Sequence, residues 1–344
     1  MITTEKARII DANFNRAKEA LRVLEDISRF SLLNKKFSHQ LRNLRHEIDK
    51  LIDCKESYLT IINSRESVLD PGKSFFTQQP VQHLYDIAVS NIQRLQEGLR
   101  SLEEIYKTIS VKKSNLCMKI RFATYEFAKI FLSSLSKEKI PDKLLYIIGG
   151  IKDWFSKSIY KKIIRKELFL VQFREGNKSD KDIYKYLKIF TDYAHSRGVK
   201  VIVNNRCDLC VGVSTDGVHI GSNDIPVQIA RQIIGFSKYV GYTTHKIEEI
   251  EKIQSNDLVD YISFGTIFKS CTKPDRPFYG EKILKDLEKV KREKALILIG
   301  GITLNNIELL LKNGFLKLAV SYAIFHSSDP SKEIDKFLNI MYKY

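Results

Sequence analysis

The stretch KVIVNNRCDLCVGVSTDGVHIG, residues 200–221, decides the fold class, because two short apolar runs enclose a segment of helical length. The same alternation continues in both directions along the chain. The strand candidates are, in order, KLLYIIGG (143–150), LFLVQFRE (168–175), KVIVNNR (200–206), GVHIG (217–221), YVGYTTH (239–245), YISFGTIF (261–268), LILIGGI (296–302) and LKLAVSY (316–322).

Eight such units within roughly 200 residues predict an α/β fold, a (β/α)8 TIM barrel. Continuous apolar runs are typical of parallel strands that are buried on both faces. A doubly wound open sheet is the alternative, and the even spacing of eight units makes it the less favoured of the two.

The first part of the chain predicts a different architecture. Its apolar residues are spaced three and four apart, as at Ile10, Phe14 and Ala17, which is the pattern of amphipathic helices. The polar segment 133–143 contains Pro141 and is the best linker candidate. We therefore expect an all-α domain at 1–135 and the barrel at 143–344.

The helical part contains an internal repeat, which predicts a duplicated helical hairpin with a pseudo-two-fold axis. The matching residues, at an offset of 78, are Asn13, Arg16, Glu19, Leu21, Arg22, Leu24 and Glu25 with Asn91, Arg94, Glu97, Leu99, Arg100, Leu102 and Glu103. A second match pairs Arg42 and Glu47 with Arg121 and Glu126 at an offset of 79. Two interpretations stay open: a scaffold held by ion pairs, or an Arg-lined cleft.

The chain is strongly basic, with 57 Lys and Arg against 41 Asp and Glu, a formal net charge of +16. This charge suits anionic partners, namely nucleic acid, a membrane surface or phosphorylated small molecules. A solvated lysine-rich surface explains the excess equally well. No aromatic-interleaved basic motif is present, so a nucleic-acid-binding protein is only the alternative from another class.

The cysteines and the apolar runs bear on the compartment. Five scattered cysteines do not form a disulfide framework, and the CxxC pair Cys207 and Cys210 lacks a second ligand pair for zinc, which His219 does not supply. The N-terminal sequence lacks the pattern of a secretory signal, and the apolar runs are too short to span a membrane. We expect a cytoplasmic protein with no membrane partner.

In such barrels the site lies at the carboxyl ends of the strands. Glycines after strand seven, Gly300 and Gly301, together with Ser321 after strand eight, predict a backbone site for one phosphate. Arg174 and Lys273 supply positive charge for a second anion, which we expect to be a pyrophosphate group. Asp224 suits a Mg²⁺ ion that keeps most of its waters. The pattern indicates stabilisation of a leaving group.

The barrel half resembles the thiamine phosphate synthase family, from about residue 143 to 335. The motifs that carry the resemblance are VQFRE (171–175), NNRCD (204–208), DGVHIGSND (216–224), GYTTH (241–245), FGTIFKSCTKPD (264–275), IGGI (299–302) and VSYAIF (320–325). The family joins hydroxymethylpyrimidine diphosphate to a thiazole phosphate and releases pyrophosphate, by ionisation with the help of Mg²⁺.

The resemblance implies a role for each matched residue. Residues for the pyrimidine diphosphate are Gln172, Phe173, Arg174, Glu175, Gly176, Asn204, Thr243 and Lys273, of which Arg174, Thr243 and Lys273 would be catalytic. Residues for the thiazole phosphate are Ser270, Cys271, Thr272, Gly301, Val320 and Ser321. The metal ligands would be Asn205 and Asp224.

The chain departs from the family pattern at three positions. Gly176 stands where the family has Lys, although Lys178 is two residues further on. Asn205 stands where the family has Asp, which makes one metal ligand neutral. Thr243 replaces a Ser and keeps the hydroxyl.

These departures keep a runner-up open, a thiazole tautomerase-like barrel with His245 as its acid or base and a scaffold in front. The helical half, with RIIDANFNRAKEALRVLEDISRF (8–30), resembles the module fused in front of these synthases and associated with hydroxymethylpyrimidine phosphate kinase activity. No P-loop accompanies it, so a docking or dimerisation scaffold is the alternative for this half.

Overall fold

The structure is a computed structural model that describes residues 2–32, 34–52, 55–65, 83–271 and 277–344. The chain divides into two compact units, Met1–Ser136 and Lys137–Tyr344. Each unit has its own hydrophobic core.

The first unit is helical, as the apolar spacing predicts. Its helices are α1 (Thr4–Asp26), α2 (Lys35–Asp49), α3 (Lys55–Asn63), α4 (Leu84–Lys107) and α5 (Val111–Leu135), with a π-helical turn at Ile27–Ser31. The side chains of Asn34 and Ser110 accept backbone N–H bonds at the starts of α2 and α5, which satisfies donors that a helix leaves unpaired.

The polar residues of the repeat form matching ion pairs inside this unit. Glu25 on α1 contacts Arg45 on α2 at 3.3 Å, and Glu103 on α4 contacts Arg121 on α5 at 2.9 Å. The counterpart of Arg121 is therefore Arg45, and the alignment of Arg42 with Arg121 is wrong by one helical turn. In each hairpin a buried glutamate therefore pairs with an arginine of the following helix.

The second unit is a closed barrel of eight parallel strands in sequential order, which confirms the predicted fold. The strands are β1 (Leu144–Gly149), β2 (Leu170–Phe173), β3 (Lys200–Asn204), β4 (Gly217–Gly221), β5 (Tyr239–Thr244), β6 (Tyr261–Phe264), β7 (Ala295–Ile299) and β8 (Lys317–Val320). Each of them coincides with one of the eight apolar runs.

Helices follow the strands and cover the barrel. They are α6 (Ile151–Phe155), α7 (Ile159–Ile163), α8 (Asp180–Ser196), α9 (Cys207–Val213), α10 (Val227–Ile234), α11 (Ile247–Gln254), α12 (Lys282–Lys289), α13 (Ile307–Lys312), α14 (Tyr322–Phe325) and α15 (Pro330–Tyr342), with short 3₁₀ turns at Ser156–Ser158 and Lys166–Leu168. Within the described residues, no helix is long and apolar enough to cross a membrane.

Alternation along the strands separates two kinds of buried residue. Outward side chains pack against the helices, where Trp154 of α6 contacts Phe190 and Phe325. Inward side chains fill the lower part of the barrel, including Tyr146 and Tyr261. The barrel is therefore closed below, and its polar groups face the cavity above.

Cys207 and Cys210 lie on α9 and are buried, as small apolar residues would be. Burial raises the pKa of the Cys207 thiol to about 11. Within the described residues, no group of three or more His, Cys, Asp or Glu side chains forms a cation site.

Candidate active site at the carboxyl ends of the strands

A cavity of about 460 Å³ opens at the carboxyl ends of the barrel strands. Most of the residues that the sequence singled out line it. These are Gln172, Arg174, Asn204, Asn205, Asp224, Thr243, Ser270, Cys271, Gly301, Val320 and Ser321. The strand-end rule therefore brings residues that are far apart in sequence into one chamber.

Three of the expected pyrimidine contacts, Phe173, Glu175 and Gly176, do not line the cavity. Phe173 is buried on the outer face of β2, where its ring lies 5.6 Å from that of Phe190. Glu175 holds its own loop, because its carboxylate accepts N–H bonds from Ile151, Gly176 and Asn177. Since alternate residues of a strand point to opposite faces, Gln172 and Arg174 face inward and their neighbours do not.

The two remaining site predictions, Thr272 and Lys273, lie outside the described residues. Lys178, considered as a substitute for the lysine that Gly176 replaces, is exposed and is not one of the residues that line the cavity. The lining also includes a lysine that sequence reasoning missed, Lys269 in the loop after β6.

Amide groups form one wall of the cavity. Gln172 on β2 donates from Nε2 to Oδ1 of Asn204 on β3 at 3.2 Å. This bond fixes both amides at the point where the two strands end. Arg174, one residue beyond β2, places a guanidinium on the same side, and its main-chain N–H donates to the Gly149 carbonyl at 2.8 Å.

Asp224 and Asn205 place side-chain oxygens on the neighbouring wall. Asp224 accepts an N–H bond from Gly221 at 2.7 Å, which holds the carboxylate beside the end of β4. Asn205 has φ of 61°, a left-handed conformation that asparagine tolerates better than most residues. Its N–H donates to the carbonyl of His219 at 2.9 Å, so the turn after β3 is tied to β4.

His219 on β4 lies at the bottom of the cavity and is 6% exposed. Its Nδ1 is 3.0 Å from the Tyr261 hydroxyl, and its Nε2 is 2.6 Å from Oγ1 of Thr243. Burial, and then the positive charge of Arg174, lower the pKa of His219 to about 3. The ring is therefore neutral at physiological pH.

The loops after β6 and β7 interlock on the opposite side. Gly301 has φ of 63°, and a Cβ there would lie 2.4 Å from the Lys269 carbonyl oxygen and 2.6 Å from that of Phe268. The Phe268 N–H donates to the Gly300 carbonyl at 3.0 Å. Only glycine fits this turn, and it leaves main-chain groups exposed to the cavity beside Ser321.

His245 also lines the cavity, but its ring is tied to the backbone. Its Nδ1 is hydrogen-bonded to the Gly265 carbonyl, and its own carbonyl accepts from the Tyr279 hydroxyl. These contacts give His245 a structural role at the base of the loop after β6.

The sequence carried a weak signal for His219 and none for its partners. A histidine inside the apolar run of β4 stands out, but its contact with Tyr261 depends on strand register across β5. Ser263 was also missed; it is 1% exposed, lies on β6 and lines the cavity.

A closed parallel barrel whose strand ends hold cations, amides and a glycine-lined loop defines a (β/α)8 enzyme that acts on small phosphorylated substrates. Comparison with known proteins gives the family. The thiamine monophosphate synthase family matches residues 145–324, and the ThiD2 family matches residues 8–130.

Curated relatives match the chain over nearly its full length. A thiamine-phosphate synthase of Prochlorococcus marinus is 32% identical over 337 residues, covering 95% of each chain. One of a Synechococcus species is 30% identical over 331 residues, covering 94% of this chain and 91% of the relative. The chain belongs to the thiamine-phosphate synthase family, and it is a transferase.

A solved structure supports the fold of the second unit. Thiamine phosphate pyrophosphorylase from Pyrococcus furiosus superposes with a TM-score of 0.52 and 23% identity, covering 59% of this chain and 96% of that one. The relatives carry the synthase name, which is the first of the two activities that the sequence left open for the barrel.

Proposed function

We propose that the barrel cavity holds hydroxymethylpyrimidine diphosphate and thiazole phosphate side by side and joins them. The observation that carries this assignment is the arrangement of the walls. The amides and Arg174 lie at the ends of β2 and β3, and the glycine-lined loop lies after β7 on the other side. A diphosphate and a monophosphate therefore have separate places in one chamber.

The pyrimidine diphosphate fits the first wall. The paired amides of Gln172 and Asn204 offer donors and acceptors for a pyrimidine edge. Arg174 has a planar guanidinium that binds phosphate oxygens in a bidentate manner, and Thr243 adds a hydroxyl. The family resemblance assigns Lys273 to the same diphosphate, where its ammonium group would balance the negative charge.

The thiazole phosphate fits the second wall. The backbone at Gly301, Val320 and Ser321 provides N–H groups for one phosphate, a use of this part of the barrel that many (β/α)8 enzymes share. Ser270 and Cys271 also line the cavity, and the family resemblance assigns Thr272 to the same substrate.

The proposed reaction has two steps, departure of pyrophosphate and attack by the thiazole nitrogen. The bond between the pyrimidine methylene carbon and the diphosphate oxygen breaks, and its electron pair leaves with pyrophosphate. The ring nitrogen of the thiazole donates its lone pair to the resulting carbocation and becomes positively charged. Arg174 and Thr243 lower the barrier because the negative charge grows on the diphosphate as the bond breaks.

Asp224 and Asn205 fit a magnesium ion. Carboxylate and amide oxygens are hard donors, and Mg²⁺ commonly takes only one or two protein ligands and completes its shell with water and substrate phosphates. When bound, the ion would supply a Lewis acid that neutralises charge on the diphosphate. The neutral Asn205 predicts weaker magnesium binding than two carboxylates would give.

The synthase proposal is tested by incubating the full chain with both substrates, with Mg²⁺ and with a chelator. We expect thiamine phosphate and pyrophosphate in equal amounts, and a loss of rate on chelation. Lys273→Ala should lose more rate than Lys178→Ala, since only Lys273 occupies a matched position. Absence of product in every condition would refute the assignment, whereas turnover that resists chelation would refute only the metal role.

For the first unit we infer a kinase activity that converts hydroxymethylpyrimidine phosphate to the diphosphate, with ATP as the phosphoryl donor. The support is the match of residues 8–130 to the ThiD2 family and its fusion to the barrel that consumes the diphosphate. The ion pairs of the repeat hold the helices and supply no nucleotide site by themselves.

The full chain carrying Arg174→Ala separates the two activities, because the barrel can then no longer consume the diphosphate efficiently. We expect this variant, given hydroxymethylpyrimidine phosphate and ATP, to accumulate the diphosphate and ADP. ADP release that does not depend on the pyrimidine substrate, or no release at all, would leave the first unit as a scaffold.

A further inference from the structure

A chain of buried hydrogen bonds crosses the barrel beneath the cavity. The hydroxyls of Tyr146 on β1 and Tyr261 on β6 are 3.0 Å apart. The Tyr261 hydroxyl is 3.0 Å from Nδ1 of His219, and Nε2 of the same ring is 2.6 Å from Oγ1 of Thr243. Both tyrosines are fully buried and His219 nearly so, whereas Thr243 faces the cavity.

The donor and acceptor in each of these hydrogen bonds can be assigned from Tyr146, the residue at the buried end of the series. Within the described part of the protein, the hydroxyl of Tyr146 has Tyr261 as its hydrogen-bond partner. A buried hydroxyl that keeps its hydrogen without an acceptor is unfavourable, so Tyr146 donates to Tyr261. Tyr261 then uses its own hydrogen to donate to Nδ1 of His219.

This order decides which ring nitrogen carries hydrogen. Because Nδ1 accepts from Tyr261, the hydrogen of the neutral imidazole is on Nε2, which donates to Thr243. The opposite order would place the ring hydrogen on Nδ1 and pass hydrogens toward Tyr146, whose own hydroxyl hydrogen would then lack an acceptor. In the first arrangement, both tyrosine hydroxyls and both ring nitrogens of His219 have a hydrogen-bond partner.

We infer that His219 is a positioning residue, which holds the Thr243 hydroxyl as a hydrogen-bond donor to the leaving diphosphate, with the Tyr261 and Tyr146 pair fixing the ring tautomer. Thr243 accepts from His219, so its own hydrogen points away from the ring and is available to a ligand in the cavity. The inference rests on the proposed function, which places the diphosphate at Thr243.

The oriented Thr243 hydroxyl stabilises the diphosphate most strongly as the bond to the diphosphate breaks. A donor that is already oriented needs no rearrangement when negative charge develops on the oxygen it faces. A threonine hydroxyl without this support would divide its time between donating and accepting. His219 acts through Thr243 and needs no contact with the substrate itself.

The tautomer is tested directly by NMR of the full chain with nitrogen-15-labelled histidine. We expect the His219 ring to show hydrogen on Nε2 and a bare Nδ1, in the absence of substrates. The signal is assigned by its loss in His219→Gln. A ring with hydrogen on Nδ1, or on both nitrogens at neutral pH, would overturn the inference.

The catalytic role is tested by pairing His219 and Thr243 variants. We expect Thr243→Val to lower kcat by about 100-fold, in the range for loss of one fixed donor, and His219→Leu to lower kcat by about 10-fold with KM little changed. In the Thr243→Val background, His219→Leu should cost less than about 2-fold, because its route of action is gone. His219→Gln, whose amide can still donate, should retain more rate than His219→Leu.

Losses that multiply in the double variant, or equal losses for His219→Gln and His219→Leu, would mean that His219 serves only the packing of the barrel. A wild-type chain that makes no thiamine phosphate would instead overturn the proposed function, and the role of His219 with it. The two failures are therefore distinguishable.

Discussion

Ser263 carries a buried hydroxyl that has no hydrogen-bond partner among the described residues. Removing it with Ser263→Ala eliminates an unsatisfied polar group at almost no loss of packing. We expect the free energy of unfolding of the substrate-free barrel to rise by about 1 kcal/mol. Hydrogen exchange of the strand amides measures this change.

Thr244→Val is the matched control at the end of the neighbouring strand. Thr244 is also 1% exposed, but its hydroxyl bonds to the carboxylate of Glu249. Its removal should lower the free energy of unfolding by about 2 kcal/mol, the size expected for a bond to a charged group. Destabilisation by both substitutions would show that Ser263 is satisfied in solution.

For single residues, the face of the strand to which a side chain points could be predicted from the sequence, whereas its hydrogen-bond partners could not. The alternation of β2 places Gln172 and Arg174 on the inner face, whereas Phe173 faces outward. The contact of His219 with Tyr261 joins residues 42 positions apart and depends on barrel closure. No periodicity in the chain encodes such a pair.

Among the elements, the loop after β7 depends on one glycine. Gly301→Ala would drive a methyl group into the carbonyls of Lys269 and Phe268, so the loop must move away from the one after β6. We expect the KM for thiazole phosphate to rise by about 10-fold or more, equivalent to about 1.4 kcal/mol of lost binding, with little change for the pyrimidine diphosphate. Steady-state kinetics with each substrate varied in turn measures this.

Gly314→Ala provides the comparison for Gly301→Ala. Gly314 has φ of 74°, but no atom lies within 4 Å of the position its Cβ would take. The substitution therefore costs backbone strain of about 1 kcal/mol without moving a neighbour. Unchanged KM values in this variant are expected, and an equal rise in both variants would contradict the interlocked-loop explanation.

The α4–α5 hairpin makes a second element-scale prediction. Arg121 is 12% exposed at its side chain and pairs with Glu103, which is 6% exposed. Arg121→Ala should lower the free energy of unfolding of the helical unit by about 3 kcal/mol, because the buried carboxylate loses its buried partner and keeps only the exposed Arg100.

Arg100→Ala serves as the control for that hairpin, since Arg100 pairs with the same carboxylate from the surface, at 54% side-chain exposure. It should cost below about 1 kcal/mol. Urea denaturation followed by circular dichroism compares the two variants, and equal losses would refute the importance of burial.

Element types were largely readable from the sequence. All eight strands coincide with apolar runs, because burial on both faces leaves an uninterrupted signal. The repeat was visible in α1 and α4, but its second helices were aligned incorrectly. Arg45, and not Arg42, is the counterpart of Arg121, because the segments that join the helices differ in length between the two hairpins.

For the whole molecule, the net charge of +16 raises the question of nucleic acid. Arg174 and Lys269 line a cavity of about 460 Å³, which is too small to admit a duplex. We expect excess duplex DNA to leave thiamine phosphate synthesis unchanged at about 150 mM salt, with any binding falling steeply as salt rises. Inhibition by DNA that pyrophosphate relieves would contradict this.

Trp154 has a consequence for the study of the molecule as a whole, since it is the single tryptophan of the chain. Its indole N–H donates to the carbonyl of Gly149 at 2.8 Å, and Gly149 lines the cavity. The barrel thus contains the single indole of the chain, attached to the cavity wall. When the protein is excited at wavelengths that tyrosine does not absorb, the emission reports on the barrel without a signal from the helical unit, so substrate binding can be followed in the unlabelled protein.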